Sequence, residues 1–399
     1  MTGVAADPEI DTSVWRVTGS PLVDSTAAGP LSGRTVAVKD LFAVAGFAVG
    51  AGVPAYEREQ VPAPRHAHAV ARLLSAGARI GGIARTDEFA YSLTGGNGAF
   101  GMPVNPAAPA RIPGGSTSGP AVAVARGEAD IGLGTDTAGS IRVPAAYQGL
   151  WGIRTTHGRV DTSGLLPLAQ SFDTVGWIAR DGATLADIAE CVLDADTAAP
   201  AGYAIDRAVC AYADPEIAAA VGAIADSLGA VPVELCPTES WLAAFRVVQA
   251  FEAWANHGEW VATHPGVLDP DVAERFAFAA SVTVAQAGAA REVLAGAAES
   301  LRSVVGDRVL LLPTVATPPP PRSGGRQVWE QARARTLRLT CPASIAGLPA
   351  VTVPLRSRDG MPVGLCLLGA PGSDRSLIRL ALSSVAVPAA GSLHSEDRP

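Results

Sequence analysis

Three positions in this chain carry side chains suited to a nucleophile and its base: a single lysine, and two serines set in glycine-rich loops. Lys39 is the sole lysine among 30 basic residues. A coding bias toward arginine accounts for the missing lysines but not for the one kept. Arginine can replace lysine wherever only positive charge is wanted. It cannot do so where the amine must lose its proton, because guanidinium stays charged. The segment Pro113 to Gly119 (PGGSTSG) is a hydroxyl-rich glycine loop ahead of a helix. Its serines and threonine suit plain helix capping or an anion at a helix N-terminus. The P-loop form needs a lysine that is absent here, and G-x-G-x-x-G is absent too. In Gly134 to Ser140 (GTDTAGS), small residues before Ser140 let backbone N–H groups converge where negative charge could develop. A helix starting at Ser140 would add positive potential. The alternative is an ordinary strand-to-helix turn with a serine cap.

A nucleophilic serine needs a base, and the six histidines offer none in an obvious context. His66 and His68 lie in a helical, partly polar segment, and His157 sits in a Thr-rich turn. His257 and His264 fall in a helical region, and His394 is in the tail. The G-x-S-x-G elbow is missing, and no serine stands three residues before Lys39. H-E-x-x-H is absent, and no His, Cys or acidic cluster has ligand spacing. Neither metal nor cofactor is expected. What remains is a Ser–Lys arrangement assembled from distant segments.

The elements that would position these residues alternate. Arg34 to Lys39 reads as a strand, His66 to Ala76 as a helix and Arg79 to Ala84 as a strand. A Gly-rich loop from Ser92 to Gly115 precedes a helix over Thr117 to Arg126. Ala129 to Gly134 reads as a strand, followed by a loop over Thr135 to Gly139 and a helix from Ser140. This alternation predicts an α/β fold. From about Thr197 to Gly325, Ala-rich helical patterns dominate: Glu216 to Leu228, Ser240 to Thr263 and Pro270 to Ser303. Strands return at Ala350 to Val353 and Pro362 to Leu368.

Composition bounds the function classes. With 48% apolar and 17% charged residues in 399, the chain can bury a large core. A net charge of −8 argues against a nucleic-acid partner. Met1 to Ile10 lacks the pattern of a signal peptide, and no apolar run reaches membrane-helix length. Five widely spaced cysteines, at 191, 210, 236, 341 and 366, read as reduced core thiols of a cytoplasmic protein.

Taken together, the segments resemble the amidase signature family. The matching stretches are AVKD (Ala37 to Asp40), Asn105-Pro106, PGGSTSG, GLGTDTAGSIRVPAAYQG (Gly132 to Gly149) and GRV (Gly158 to Val160). SFDTVGWIARD (Ser171 to Asp181), PAVTVP and DGMPVGLCLLG also fit, so the likeness spans roughly 30 to 195 and 305 to 385. Ser116 and Ser140 stand 24 residues apart, as the family's serine pair does. The resemblance implies an α/β fold with a large mixed central β-sheet flanked by helices on both faces. It implies one domain over 1–390 with a variable helical portion at about 200–305, leaving 391–399 as a disordered tail. By the same likeness Ser140 is the acyl-forming nucleophile and Ser116 the bridging serine, preceded by a cis peptide bond. Lys39 is then the base, and the N–H groups of Thr137, Ala138 and Gly139 form the oxyanion hole. Gly115, Ser118 and Asp136 are supporting positions. The partner is a small-molecule amide, not nucleic acid or membrane, with a homodimer left open.

The chain also departs from the pattern. Ala138 replaces one of two usual glycines, Thr117 a common serine, and Arg154-Thr155-Thr156 the usual Lys-Pro-Thr; Pro120 follows Gly119. Within the family the chain resembles the branch of plant indole-acetamide amidases, with the amidase-like portion of a chloroplast import receptor and bacterial amidases of ureido compounds nearby. Trp241, Phe251, Trp254 and Trp260, if they line a pocket rather than the core, suggest an apolar or aromatic acyl group. The expected activity is hydrolysis of a carboxamide to carboxylate and ammonia. The alternatives are a catalytically silent binding module and a glutaminase-type amidotransferase subunit.

Overall fold

Buried apolar strands form the centre of the molecule. The computed structural model describes residues 10–235 and 238–384. Eleven strands occur among them: β1 (Trp15–Val23), β2 (Thr35–Lys39), β3 (Arg79–Ala84), β4 (Ile131–Asp136), β5 (Trp151–Arg154), β6 (Thr174–Ala179), β7 (Tyr203–Ile205), β8 (Val231–Pro232), β9 (Val309–Pro313), β10 (Ala350–Arg356) and β11 (Pro362–Leu368). They join in one sheet of order β1-β3-β2-β4-β6-β5-β10-β11-β9-β7-β8. β2 is parallel to both β3 and β4, whereas β4, β6, β5, β10, β11 and β9 pair antiparallel in succession. The sheet is therefore mixed, with helices packed on it, as expected for the α/β class. Val36, Ala37 and Val38 are fully buried, the continuous apolar run of a strand covered on both faces. β1 lies at the edge, where Pro21 leaves no central ladder bond unmade.

The parallel triplet positions the chemistry. Val38 on β2 stands opposite Leu133 on β4, and Lys39 opposite Ala84 on β3. The carboxyl ends of three adjacent strands thus open at one place, where α/β folds build their sites. β4 runs to Asp136, two residues past the predicted end, because Thr135 and Asp136 pair with Val175 and Thr174 on β6. The helix expected from Ser140 starts at Arg142 and ends at Tyr147. The Asp136 carboxylate accepts from the N–H of Gly139, Ile141 and Arg142, and so holds 137–141 as a turn.

The single helix expected over Pro270 to Ser303 is two, Pro270–Ser281 and Val284–Val305. Thr283 splits them: its hydroxyl accepts from Gln286 N, and the Gln286 side chain accepts from Thr283 N. Together with the helix Thr238–Thr263 they pack against one another and against the helix Gly325–Ala346. That last helix has no counterpart in the sequence reading. It contains Pro342 and ends at Gly347, whose φ of +66° suits a glycine. Cys210, Cys341 and Cys366 are buried thiols; Cys191 is only half-buried, contrary to expectation. Cys236, the Met1 to Glu9 stretch and the tail at 391–399 lie outside the described residues. No described helix is long and apolar enough to cross a membrane.

Candidate active site

Lys39 ends β2 with its side chain fully buried. Its Nζ lies 2.8 Å from Ser116 Oγ, 2.8 Å from Thr135 Oγ1 and 3.2 Å from Thr117 Oγ1. Burial pulls the Lys39 amine down from its usual 10.5 to about 7, against the carboxylates of Asp87, Asp173 and Asp136, which favour the charged form. Thr117, the departure from the usual serine, therefore contributes a hydroxyl to the amine.

The Gly115–Ser116 peptide is cis. Gly115 N donates to Leu93 O at 2.9 Å. A Cβ on Gly115 would stand 2.5 Å from both oxygens of Asp87, so only glycine fits this close approach. Asp87 receives Gly95 N at 3.0 Å and Ser118 Oγ at 3.2 Å. Ser118 thus supports the loop through Asp87, a residue the sequence reading missed. Its one available signal was its place just past the end of β3.

Ser140 sits in the turn after β4 and is 3% exposed. Its carbonyl accepts from Thr117 N at 3.2 Å, which docks the 137–141 turn on the serine loop. Its hydroxyl makes no hydrogen bond among the described residues. Of the three expected oxyanion donors, Gly139 N is already engaged, donating to Asp136 Oδ1 at 2.9 Å. The amides of Thr137 and Ala138 have no acceptor among the described residues. Thr137 Oγ1 donates to Asp173 Oδ1 at 2.6 Å, and Thr340 Oγ1 donates to Ala138 O at 2.6 Å. Both anchor the turn from outside it.

Asp136 supports the site through charge. Arg142 Nε and Nη2 reach its two oxygens at 3.0 and 2.8 Å, and Arg154 Nη1 adds 3.2 Å. All three side chains are fully buried. Burial alone would raise the Asp136 pKa, but Arg142 and then Arg154 hold it well below the carboxylate range. Arg154 occupies the position where the family usually has lysine. Arg142 Nη1 also donates to Thr340 O at 2.8 Å. The helix Gly325–Ala346 is thereby tied to the turn.

A narrow cavity opens beside these loops, with Leu93, Val143, Tyr147, Trp329, Arg333 and Thr336 on its walls. None of the four aromatic residues offered as a pocket lines it. Trp260 packs edge-on to Tyr56 and Phe89 and stacks on His264; Phe251 lies under Arg291. Of the histidines, His257 is buried against Phe89, its Nε2 at Pro167 O. Burial pulls its pKa down to about 4. Among the described residues no group of three His, Cys, Asp or Glu side chains could hold a metal ion.

The family model described as "Amidase" matches residues 21–217 and 282–378. The chain belongs to the amidase family. It is similar to Amidase 1 of Arabidopsis thaliana, at 35% identity over 96% of this chain and all of that protein. Translocon at the outer membrane of chloroplasts 64, from Pisum sativum, is 32% identical over 88% of this chain and 65% of its own length. A solved structure described as an amidase superposes with a TM-score of 0.81 at 28% identity, covering 93% of this chain and 91% of that one. This amidase-family chain is an amide-hydrolysing enzyme. The unmatched stretch, 218–281, contains the helices Thr238–Thr263 and Pro270–Ser281.

Proposed function

We propose that the enzyme hydrolyses a carboxamide to a carboxylate and ammonia through an ester on Ser140, with Ser116 and Lys39 as the proton relay. Ser140 Oγ attacks the amide carbon. Its proton passes to Ser116 Oγ, whose own proton passes to Lys39 Nζ. The tetrahedral oxyanion accepts from the Thr137 and Ala138 amides, since Gly139 N is committed to Asp136. Collapse breaks the C–N bond, and the protonated relay returns its proton to the departing ammonia. Water then attacks the ester by the same route and releases the acid.

The observation that carries this reading is the environment of Nζ. A neutral amine has two N–H donors and one lone pair. In the neutral form Thr117 Oγ1 and Thr135 Oγ1 can take the two donors, which leaves the lone pair for the Ser116 hydroxyl, 2.8 Å from Nζ. Thr117 Oγ1 in turn donates to Thr135 O at 3.3 Å. Three hydroxyl oxygens suit the three N–H groups of an ammonium as well, and it is burial, pulling the amine down to about 7, that favours the uncharged form. The Ser140 hydroxyl is unbonded and turns toward Ser116 about its Cα–Cβ bond when substrate enters; catalytic bonds commonly tighten only then.

The test is Ser140→Ala, assayed by ammonia release across a panel of amides. The expected loss is on the order of 10⁶-fold. Wild-type enzyme mixed with a slow amide should gain the mass of the acyl group, on the peptide containing Ser140. A folded Ser140→Ala enzyme retaining a tenth of the wild-type rate would overturn the assignment.

A further inference from the structure

The chain carries a net charge of −8, yet one cleft runs the other way. Four arginines, Arg246, Arg275, Arg326 and Arg333, line it against three carboxylates, Asp271, Glu274 and Glu330. Asp271 and Glu274 are both taken by Arg326. Glu330 sits between two of the other three arginines, bonded to Arg275 and, at 3.3 Å, to Arg333, and the third, Arg246, is exposed. Arg246 makes no ion pair among the described residues, and Arg333 Nε is buried with no partner. Arg275 and Arg333 are only 13% and 14% exposed, so bulk water compensates them poorly.

This cleft touches the chemistry. Arg333 lines both the cleft and the narrow cavity beside the serine loops. It lies two turns before Thr340 on the same face of the helix Gly325–Ala346, about 10 Å along the axis. Thr340 holds Ala138 O in the nucleophile turn. On the other wall Leu93 is bonded by Gly115, and Arg275 Nη1 donates to Tyr91 O, two residues away in the chain.

We propose that Arg246, Arg275 and Arg333 bind a carboxylate on the substrate, so that the enzyme's amide is anionic, its charge held by the helix that also carries Thr340. The inference rests on the hydrolase reading for the position of the scissile bond. Glu330 already seats a planar carboxylate between two of these guanidiniums, and such forks favour that geometry. Arg246, which makes no ion pair among the described residues, and Arg333, which bonds Glu330 through Nη1, have donors still open. This differs from the expectation of an apolar or aromatic acyl group, since none of Trp241, Phe251, Trp254 and Trp260 lines this cleft.

The experiment separates binding from turnover. Calorimetry on the Ser140→Ala enzyme compares monoamides of linear dicarboxylic acids, succinamate to suberamate, with neutral alkanamides of equal length. At one chain length the anionic amide should bind at least about tenfold more tightly. Arg246→Gln and Arg333→Gln, each placed in the Ser140→Ala background, should erase most of that preference. Equal affinity of anionic and neutral amides at every length, or a preference that survives both substitutions, overturns the subsite. The hydrolase reading is judged separately, by whether Ser140→Ala abolishes ammonia release. A failure of one is therefore not a failure of the other.

Discussion

Asp136 and Glu330 each stand between two arginines, and the two clusters end in opposite states. Around Asp136 every side chain is buried, and both carboxylate oxygens are used by guanidinium and backbone N–H donors. Around Glu330 the carboxylate is 35% exposed and a third arginine, Arg246, is exposed and has no ion pair among the described residues; an orphaned guanidinium Nε occurs in both clusters, at Arg154 and at Arg333. The first cluster is closed to solvent and fixes the turn that carries Ser140. The second is open, and its surplus positive charge is what a ligand would complete. One protein thus uses the same pair chemistry once as a fastening and once as a receptor, and exposure decides which.

The largest effect belongs to the closed side. Lys39→Arg should lose on the order of 10²–10⁴-fold in kcat, the usual worth of a positioned base, because guanidinium accepts no proton. Lys39→Met, which suits the buried position, should be folded and equally slow. A Lys39→Arg enzyme within about tenfold of wild type would show that the amine is an electrostatic anchor.

Next comes Asp136→Asn. It leaves Arg142 and Arg154 buried with their anion gone, and should cost about 3–5 kcal/mol of stability in a denaturant titration. Glu330→Gln, the matched change in the open cluster, should cost no more than about 1 kcal/mol, since a third of that carboxylate meets solvent. If the two substitutions cost the same, the distinction between fastening and receptor fails.

How far this contrast could be read from the sequence follows from where each cluster comes from. The closed cluster lies within continuous motifs: β2 ends at Lys39, and Gly132 to Gly149 holds Asp136, Ser140 and Arg142 together. Short-range pattern made Lys39, Ser116 and Ser140 candidates while leaving helix capping open, the family resemblance gave them roles, and the strands read at 34–39, 79–84 and 362–368 appear at 35–39, 79–84 and 362–368. What it missed depends on register and long range. Thr135 enters the site because β4 stays paired with β6 to Asp136. Asp87 enters because the serine loop folds back onto it. The helix Gly325–Ala346 went unseen because Pro342 and a run of arginines break its amphipathic pattern. It supplies Thr340, Thr336 and Arg333. The open cluster draws on three helices far apart in sequence, so no local motif announces it.

The smallest effect concerns the charge that Lys39 feels. With its pKa near 7, the neutral amine is the minor form in acid and the major form in alkali. If neutral Lys39 is the base, kcat/KM rises with pH along one limb centred near 7 and levels above it. Asp87 is the carboxylate that most favours the ammonium form. Asp87→Asn removes that charge, keeps one oxygen to accept from Gly95 N, and puts an Nδ2 donor toward Ser118 Oγ, whose hydroxyl can turn to accept. Without the anion the ammonium is less stable, so the Lys39 pKa falls and the limb moves to lower pH, by about one unit at most. At pH 6 the variant should then carry a larger share of its own plateau rate than wild type does. Profiles of both enzymes with one neutral amide decide the point. A limb that stays in place means that Asp87 is itself protonated there, its carboxyl raised by burial. A limb that moves up contradicts lysine as the base, because no loss of a neighbouring negative charge can make an ammonium harder to deprotonate.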